Sequence, residues 1–214
     1  MELKSILNTS AIRVVQEVEP PRIFLPDLSR AVADRYKFVR YPQSVEDFSK
    51  DTLEFAYGNF FDDAIVMKLS IYNAGVWVEA PTRSDNLDRF LDDLMILLSD
   101  FGVSASNASG MSIYGSALEL TMKSGFGRWF EQIQPAVAKI RSSLEGAGIA
   151  VSDYEVGGFT IVGEGPDTLQ PPRFVLERRA GQALEANTFF SQAPLSTEQH
   201  ISLLAEIESL QSLQ

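Results

Sequence analysis

The sequence predicts an α+β fold in two lobes, each an antiparallel sheet packed by amphipathic helices, and three observations carry that prediction. In Ile65 to Tyr72 the residues Ile65, Met67, Leu69 and Ile71 alternate with Val66, Lys68, Ser70 and Tyr72, the period of a strand with one buried face. Leu87, Phe90, Leu91, Leu94, Met95, Leu97, Leu98 and Phe101 recur at helical spacing and fall in an arc of under half a turn. Residues 102–110 are small and polar, the composition of a linker, and divide the 214 residues into lobes of 1–103 and 104–214.

In the first lobe, residues 1–26 read as an arm with a strand from Ile12 to Val18, broken at Glu19-Pro20-Pro21. A short helix starts at Asp27, whose carboxylate can cap the free amides after Pro26, and Tyr36 to Tyr41 is a strand candidate stopped by Pro42. Ser44 to Lys50 is helical. The hairpin of residues 65–80 turns at Asn73-Ala74-Gly75, three residues with Gly75 in the left-handed conformation, and returns through Val76 to Ala80 with Trp77 and Glu79 on a partly covered second face. Ser84 or Asp85 caps a helix over residues 85–100. Asp88, Asp92, Asp93 and Asp100 lie opposite its apolar stripe, together with one exception, Ile96.

In the second lobe a strand over 111–123 changes phase, so a bulge near Gly115 is expected. Trp129, Ile133, Val137, Ile140 and Leu144 mark a helix over 126–146, with Pro135 kinking it or starting its longer half and Gly146-Ala147-Gly148 ending it. A hairpin over 149–162 turns at Gly157-Gly158, and strands follow over 174–190 as Phe174–Ala180 and Ala183–Phe190. A helix over 196–213 opens with Ser196 and Gln199 in capping-box spacing. This order of elements in a small acidic chain resembles the chaperones of type III secretion in topology and charge alone, with no motif by which residues transfer.

The composition removes most chemistry. There is no cysteine and one histidine, His200, on the apolar side of the last helix one turn before Leu203 and Leu204, where packing is expected. Phosphate-binding, nucleophile-elbow and zinc motifs are absent, and no catalytic residue, cofactor site or metal site is assigned. Asp88, Asp92 and Asp93 have oxygens for a divalent cation, but a solvated acidic face is the commoner meaning of that pattern. Asp62-Asp63 reads as a turn. Glu177 and Arg179 share a strand face, with Arg178 opposite; they read as an anion or partner contact or, more commonly, as members of cross-strand ion pairs.

The net charge of −11 divides as −6 over 1–100, with 17 acidic and 11 basic residues, and −5 over 101–214, with 12 and 7. It argues against direct contact with nucleic acid. The opening residues lack the pattern of a signal peptide, and charge interrupts the longest apolar helix, so a cytoplasmic protein without a membrane span is expected. The leading expectation is a non-catalytic protein-binding protein, an adaptor or a subunit of a larger assembly, possessing protein partners that include further copies of itself. Ile96 and the stripe Leu203, Ile207 and Leu210 are the candidate contact residues. The alternatives are a carboxylate and divalent-metal enzyme and an acidic decoy that inhibits a nucleic-acid-binding protein.

Overall fold

The structure, a computed structural model, describes residues 1–15, 25–60, 64–102, 108–123, 130–150, 154–163 and 173–212. Helices mix with antiparallel strands, as the α+β expectation requires. The elements in chain order are β1 (Glu2–Val15), α1 (Leu25–Tyr36), α2 (Val45–Phe48), β2 (Thr52–Phe60), β3 (Ala64–Tyr72), β4 (Gly75–Ala80), α3 (Ser84–Asp100), β5 (Ala108–Thr121), α4 (Gln134–Gly146), β6 (Gly158–Ile161), β7 (Phe174–Arg178), β8 (Thr188–Ala193) and α5 (Thr197–Ser212). Two compact units divide the chain. The first comprises Ile6–Ser116 and Pro194–Glu198, the second Met1–Ser5, Ala117–Ala193 and Gln199–Gln214. Of the expected linker over 102–110, residues 103–107 lie outside the described residues and 108–110 belong to β5.

In the first unit the strands run in the order β2-β3-β4-β1-β5. Residues 2–15 of the expected arm are therefore an interior strand, with Thr9 opposite Ala80 and Ile12 opposite Trp77. The rest of the strand expected to Val18 and its break at Glu19-Pro20-Pro21 lie outside the described residues. The inward residues of β1, Thr9 and Ala11, are both fully buried but small, so the pattern that marks a strand by large apolar side chains is missing there. α1 and α3 pack on one face of this sheet: Leu28, Val32 and Tyr36 join Leu87, Phe90, Leu91, Leu94 and Leu98 in a single core with Phe55, Leu69, Val76 and Val78. Tyr36 and Phe60 meet the Phe90 ring at 4.7 and 4.8 Å between centroids, within the range favoured by aromatic pairs. The apolar stripe of α3 is the expected one, and Ile96 is the expected exception at 63% exposure.

Several local expectations change. Tyr36 is the last residue of α1, Lys37 takes the left-handed conformation that ends the helix, and the proposed strand over 36–41 reduces to one bridge between Arg40 and Ala56. The β3–β4 hairpin turns on two residues, since Tyr72 pairs directly with Gly75. Gly75 is required by close approach: a Cβ there would lie 2.6 Å from the Arg13 carbonyl oxygen on β1. Neither Ser84 nor Asp85 caps α3, whose N-cap is Arg83. Ser84 instead bonds Thr197, each backbone N–H donating to the other's hydroxyl at 3.0 and 2.8 Å, so two helix starts satisfy one another.

In the second unit the order is β1-β5-β8-β7-β6. Leu118, Leu120 and Met122 are buried on one parity and Ile113, in the first unit's part of β5, stays half-exposed, so the phase change reflects an apolar residue off the core face. A 3-10 turn over Glu131–Ile133 precedes α4, and Pro135 falls in the first turn, where its missing N–H costs nothing. Trp129 lies outside the described residues. The hairpin expected over 149–162 does not form: residues 154–157 are not strand, and β6 pairs antiparallel with β7, Phe159 opposite Leu176 and Ile161 opposite Phe174. β7 pairs with β8, Leu176 opposite Ser191, but the strand expected over Ala183–Phe190 begins only at Thr188: Leu184–Ala186 form a 3-10 turn and Asn187 is left-handed.

Leu94 is fully buried, so Leu94→Ala should lower stability by about 2–5 kcal/mol in chemical denaturation, and an unchanged midpoint would show that α3 is misplaced. Ser84→Ala and Thr197→Ala should be non-additive, with a coupling of about 0.5–3 kcal/mol in a double-mutant cycle, because removing either leaves the same buried pair broken.

Candidate functional site: the uncovered face of the first unit's sheet

Strand register determines what lies on the face away from α1 and α3. Ile12 sits opposite Trp77, Ser70 opposite Trp77 on the other side, and Lys68 opposite Glu79, so these side chains share the second face. Tyr72, two residues beyond Ser70, joins them. The face extends through β2 and β3 because of one backbone feature. Tyr57 has φ 59° in the middle of β2, a left-handed conformation costing about 1–2 kcal/mol for a residue with a Cβ. Before it Leu53 and Phe55 point inward; after it Gly58 and Phe60 do. β3 changes in step, with Val66 inward at one end and Leu69 and Ile71 at the other, while the pairing of Phe55 with Leu69 and Gly58 with Val66 stays in one register.

The result corrects the expectation of a single alternation. Ile65 and Met67 do not belong to the core; they are 49% and 41% exposed, with Tyr57, Tyr72 and Ile12 at 46%, 39% and 36%. Five large side chains on one sheet face, beside half-buried Trp77, make an apolar surface of the kind that free surfaces seldom keep. Cations frame it. Lys68 Nζ sits 5.3 Å from the Trp77 ring centroid and 3.0 Å from Glu54, whose hydrogen bond holds the lysine pKa above its ordinary value. The Arg40 guanidinium lies 5.9 Å from the Tyr57 ring centroid, and the Val39 N–H donates to the Tyr57 carbonyl at 3.1 Å. No sequence signal marks Tyr57, since the residues around it read as an ordinary strand.

Three carboxylates of α3 pair within the first unit, although Asp92 keeps a 68% exposed side chain and Asp85 and Asp100 stay exposed, as a solvated acidic face would have them. Arg13 meets Asp92 at 2.5 Å and Asp88 at 3.7 Å, and Tyr114 donates to Asp88 at 2.7 Å. Asp93 accepts from Arg35 at 2.9 and 2.5 Å and from the Tyr36 hydroxyl at 2.8 Å. The Arg35 hydrogen bonds hold Asp93 below the usual carboxylate range; burial and the Asp93 carboxylate push the Tyr36 phenol up. Among the described residues no three His, Cys, Asp or Glu side chains gather as metal ligands, and Asp62-Asp63 falls outside them. A cavity of about 160 Å³ between Phe60, Val66, Ala80, Leu87 and Phe90 is smaller than the roughly 300–1,000 Å³ of ligand pockets.

In the second unit Arg178 pairs with Glu155 and donates to the Leu184 carbonyl at 2.8 Å, while Arg179 meets Glu119 of β5 at 3.5 Å, so both arginines are engaged in ion pairs within the unit. His200 is fully buried, edge-on to Phe174 at 6.0 Å and 2.8 Å from the Ser191 hydroxyl. Ser191 donates to the Val175 carbonyl at 2.8 Å, so its oxygen accepts from His200 Nε2–H, which assigns the neutral tautomer with the proton on Nε2. Both members are at 0% exposure and offer no approach to a substrate. Of the terminal-helix candidates, Ile207 is buried in its own chain, Leu203 is half-buried and Leu210 is 54% exposed, so the three do not form one free stripe. No helix among the described residues is long and apolar enough to cross a membrane.

The sequence matches no known family model and no curated protein.

Burial lowers the His200 pKa from 6.5 to about 4, so the folded protein refuses a proton that the unfolded chain takes. This contribution is fully present above pH 6.5 and is lost as pH falls toward 4, by up to about 3 kcal/mol. Denaturation at a series of pH values should show the native protein losing more stability across that window than His200→Gln. Parallel curves would place the acid sensitivity elsewhere.

Proposed function

We propose that this chain is a non-catalytic protein-binding protein, an adaptor or a subunit of a larger assembly, and that it binds through the uncovered sheet face of its first unit. The observation that carries this reading is the cluster of exposed Ile12, Tyr57, Ile65, Met67 and Tyr72 on one face. Tyrosine, methionine and tryptophan are the side chains enriched in interface centres, because they bury much area for few rotatable bonds or adapt to an uneven partner. A sheet is also a rigid platform: its backbone is already hydrogen bonded, so docking orders only side chains and the entropic cost of binding is small.

The strained backbone at Tyr57 supports the same reading. A residue held at positive φ inside a strand persists only where surrounding structure enforces it, and such strain gathers at functional positions. In this reading the protein works in the cytoplasm. Exposed Ile96 and Leu210 remain secondary contacts.

Met67→Asp and Tyr57→Ser should each weaken capture of the native partner by at least about tenfold, about 1.4 kcal/mol, because each removes apolar area from the centre of the patch. Ile96→Asp should leave capture by the sheet face unchanged. Quantitative affinity capture from the source cells, with melting curves alongside, reads the comparison. Unchanged capture in folded Met67→Asp and Tyr57→Ser would remove the sheet face from consideration.

A further inference from the structure

We propose that two copies of this chain associate by antiparallel pairing of their β6 strands, centred on Thr160. β6 stands last in the strand order of the second unit, and among the described residues no strand pairs with its outer edge. The backbone geometry tells which groups face outward. The Arg178 N–H donates to the Gly157 carbonyl, and Phe159 and Ile161 continue that alternation opposite Leu176 and Phe174. Hydrogen-bonded positions alternate along an antiparallel strand, so the N–H and C=O of Thr160 and of Val162 point away from β7.

The edge strands of the two units are treated differently by the sequence. β2, the first unit's edge, carries a bridge to Arg40 on its outer side, the charge of Glu54 and the left-handed Tyr57, each a feature that discourages a further strand. β6 and the residues after it, Gly158-Phe159-Thr160-Ile161-Val162-Gly163, hold no charge and no proline. Ile161 and Val162 are 58% and 74% exposed. Such an edge is a template for another extended segment.

A second copy fits this edge on the chemistry of the strand itself. With Thr160 on a twofold axis, Thr160 faces Thr160 of the second copy in a reciprocal pair of N–H···O=C bonds, and Phe159 faces Ile161 of the second copy. Threonine pairs and aromatic pairs with β-branched residues are among the favourable cross-strand combinations. Phe159 and Ile161 share the face of buried Phe174 and Leu176, with Phe159 and Phe174 rings 5.9 Å apart, so the added strand continues an apolar layer that otherwise ends in exposed Ile161. Each chain carries −11, and an uncharged contact is one that two copies can share without opposing like charges.

The chain has no cysteine, so an introduced thiol reports one contact only. Thr160→Cys should form a disulfide-linked dimer under mild oxidation, because facing residues in a hydrogen-bonded pair lie about 5.5 Å apart between Cα atoms, within disulfide range. Ile96→Cys and Leu210→Cys, exposed and outside β6, should give no disulfide-linked dimer under the same treatment. In sedimentation the native chain should be dimeric and Thr160→Pro monomeric with unchanged melting, since the amide removed makes no bond to β7; should Thr160→Pro fail to fold, Ile161→Lys should weaken the dimer at least about tenfold. A native chain that stays monomeric at its highest soluble concentration overturns the proposal, as it would if an extended peptide of another protein were the true occupant. So does a dimer that survives the folded edge variant while Thr160→Cys fails to crosslink. Met67→Asp should leave the dimer intact, so failure here and failure of the sheet-face reading are separable.

Discussion

The first unit's sheet has two faces and α1 and α3 cover only one of them. The rest of that unit follows from this constraint. Burial of Leu87, Phe90, Leu91, Leu94 and Leu98 against Leu69, Val76 and Val78 supplies its core, each side chain contributing about 1.5–3 kcal/mol relative to exposure. Among the described residues the second face has no such cover. Its charged residues are arranged as lids on aromatic rings, Lys68 over Trp77 and Arg40 by Tyr57, leaving Ile12, Ile65, Met67 and Tyr72 in solvent.

Part of the charge on α3 is structural. An acidic chain would be expected to hold its carboxylates in water, but Asp88, Asp92 and Asp93 are spent on Arg13, Arg35, Tyr36 and Tyr114, orienting α3 on α1, β1 and β5 within the first unit. The positions look like the solvated face of an amphipathic helix because helical periodicity records distance from the core stripe, and does not record which arginine arrives from a distant strand. Individually such partly exposed pairs are weak; here Asp93 joins a bidentate arginine to a buried tyrosine, which is the stronger geometry.

His200 shows how local pattern and environment divide the work. Its spacing on α5 places it on the apolar side, and burial then determines its chemistry: the ring stays neutral, donates to Ser191 and packs against Phe174. The Ser191 partner comes from β8, and the Val175 carbonyl that orients the serine from β7. A buried polar group needs all of its bonds made at once, so these strands and the helix are mutually dependent.

By itself the sequence determined what local periodicity can encode. α3 and its exposed Ile96, the β3–β4 hairpin, the break at Pro135 and the burial of His200 were all legible, because each depends on residues within a few positions of one another. Tertiary structure alone decided the non-local questions. β1 is an interior strand because its small Thr9 and Ala11 fit beneath the helices, and small residues leave no hydrophobic signature. β6 takes β7 as its partner instead of the nearer segment before Gly157, since strand pairing is settled by which apolar faces can be buried together. Tyr57 turns two strands over by one backbone angle, so the apolar residues that alternation assigned to the core, Ile65 and Met67, stand instead on the surface that is the candidate site.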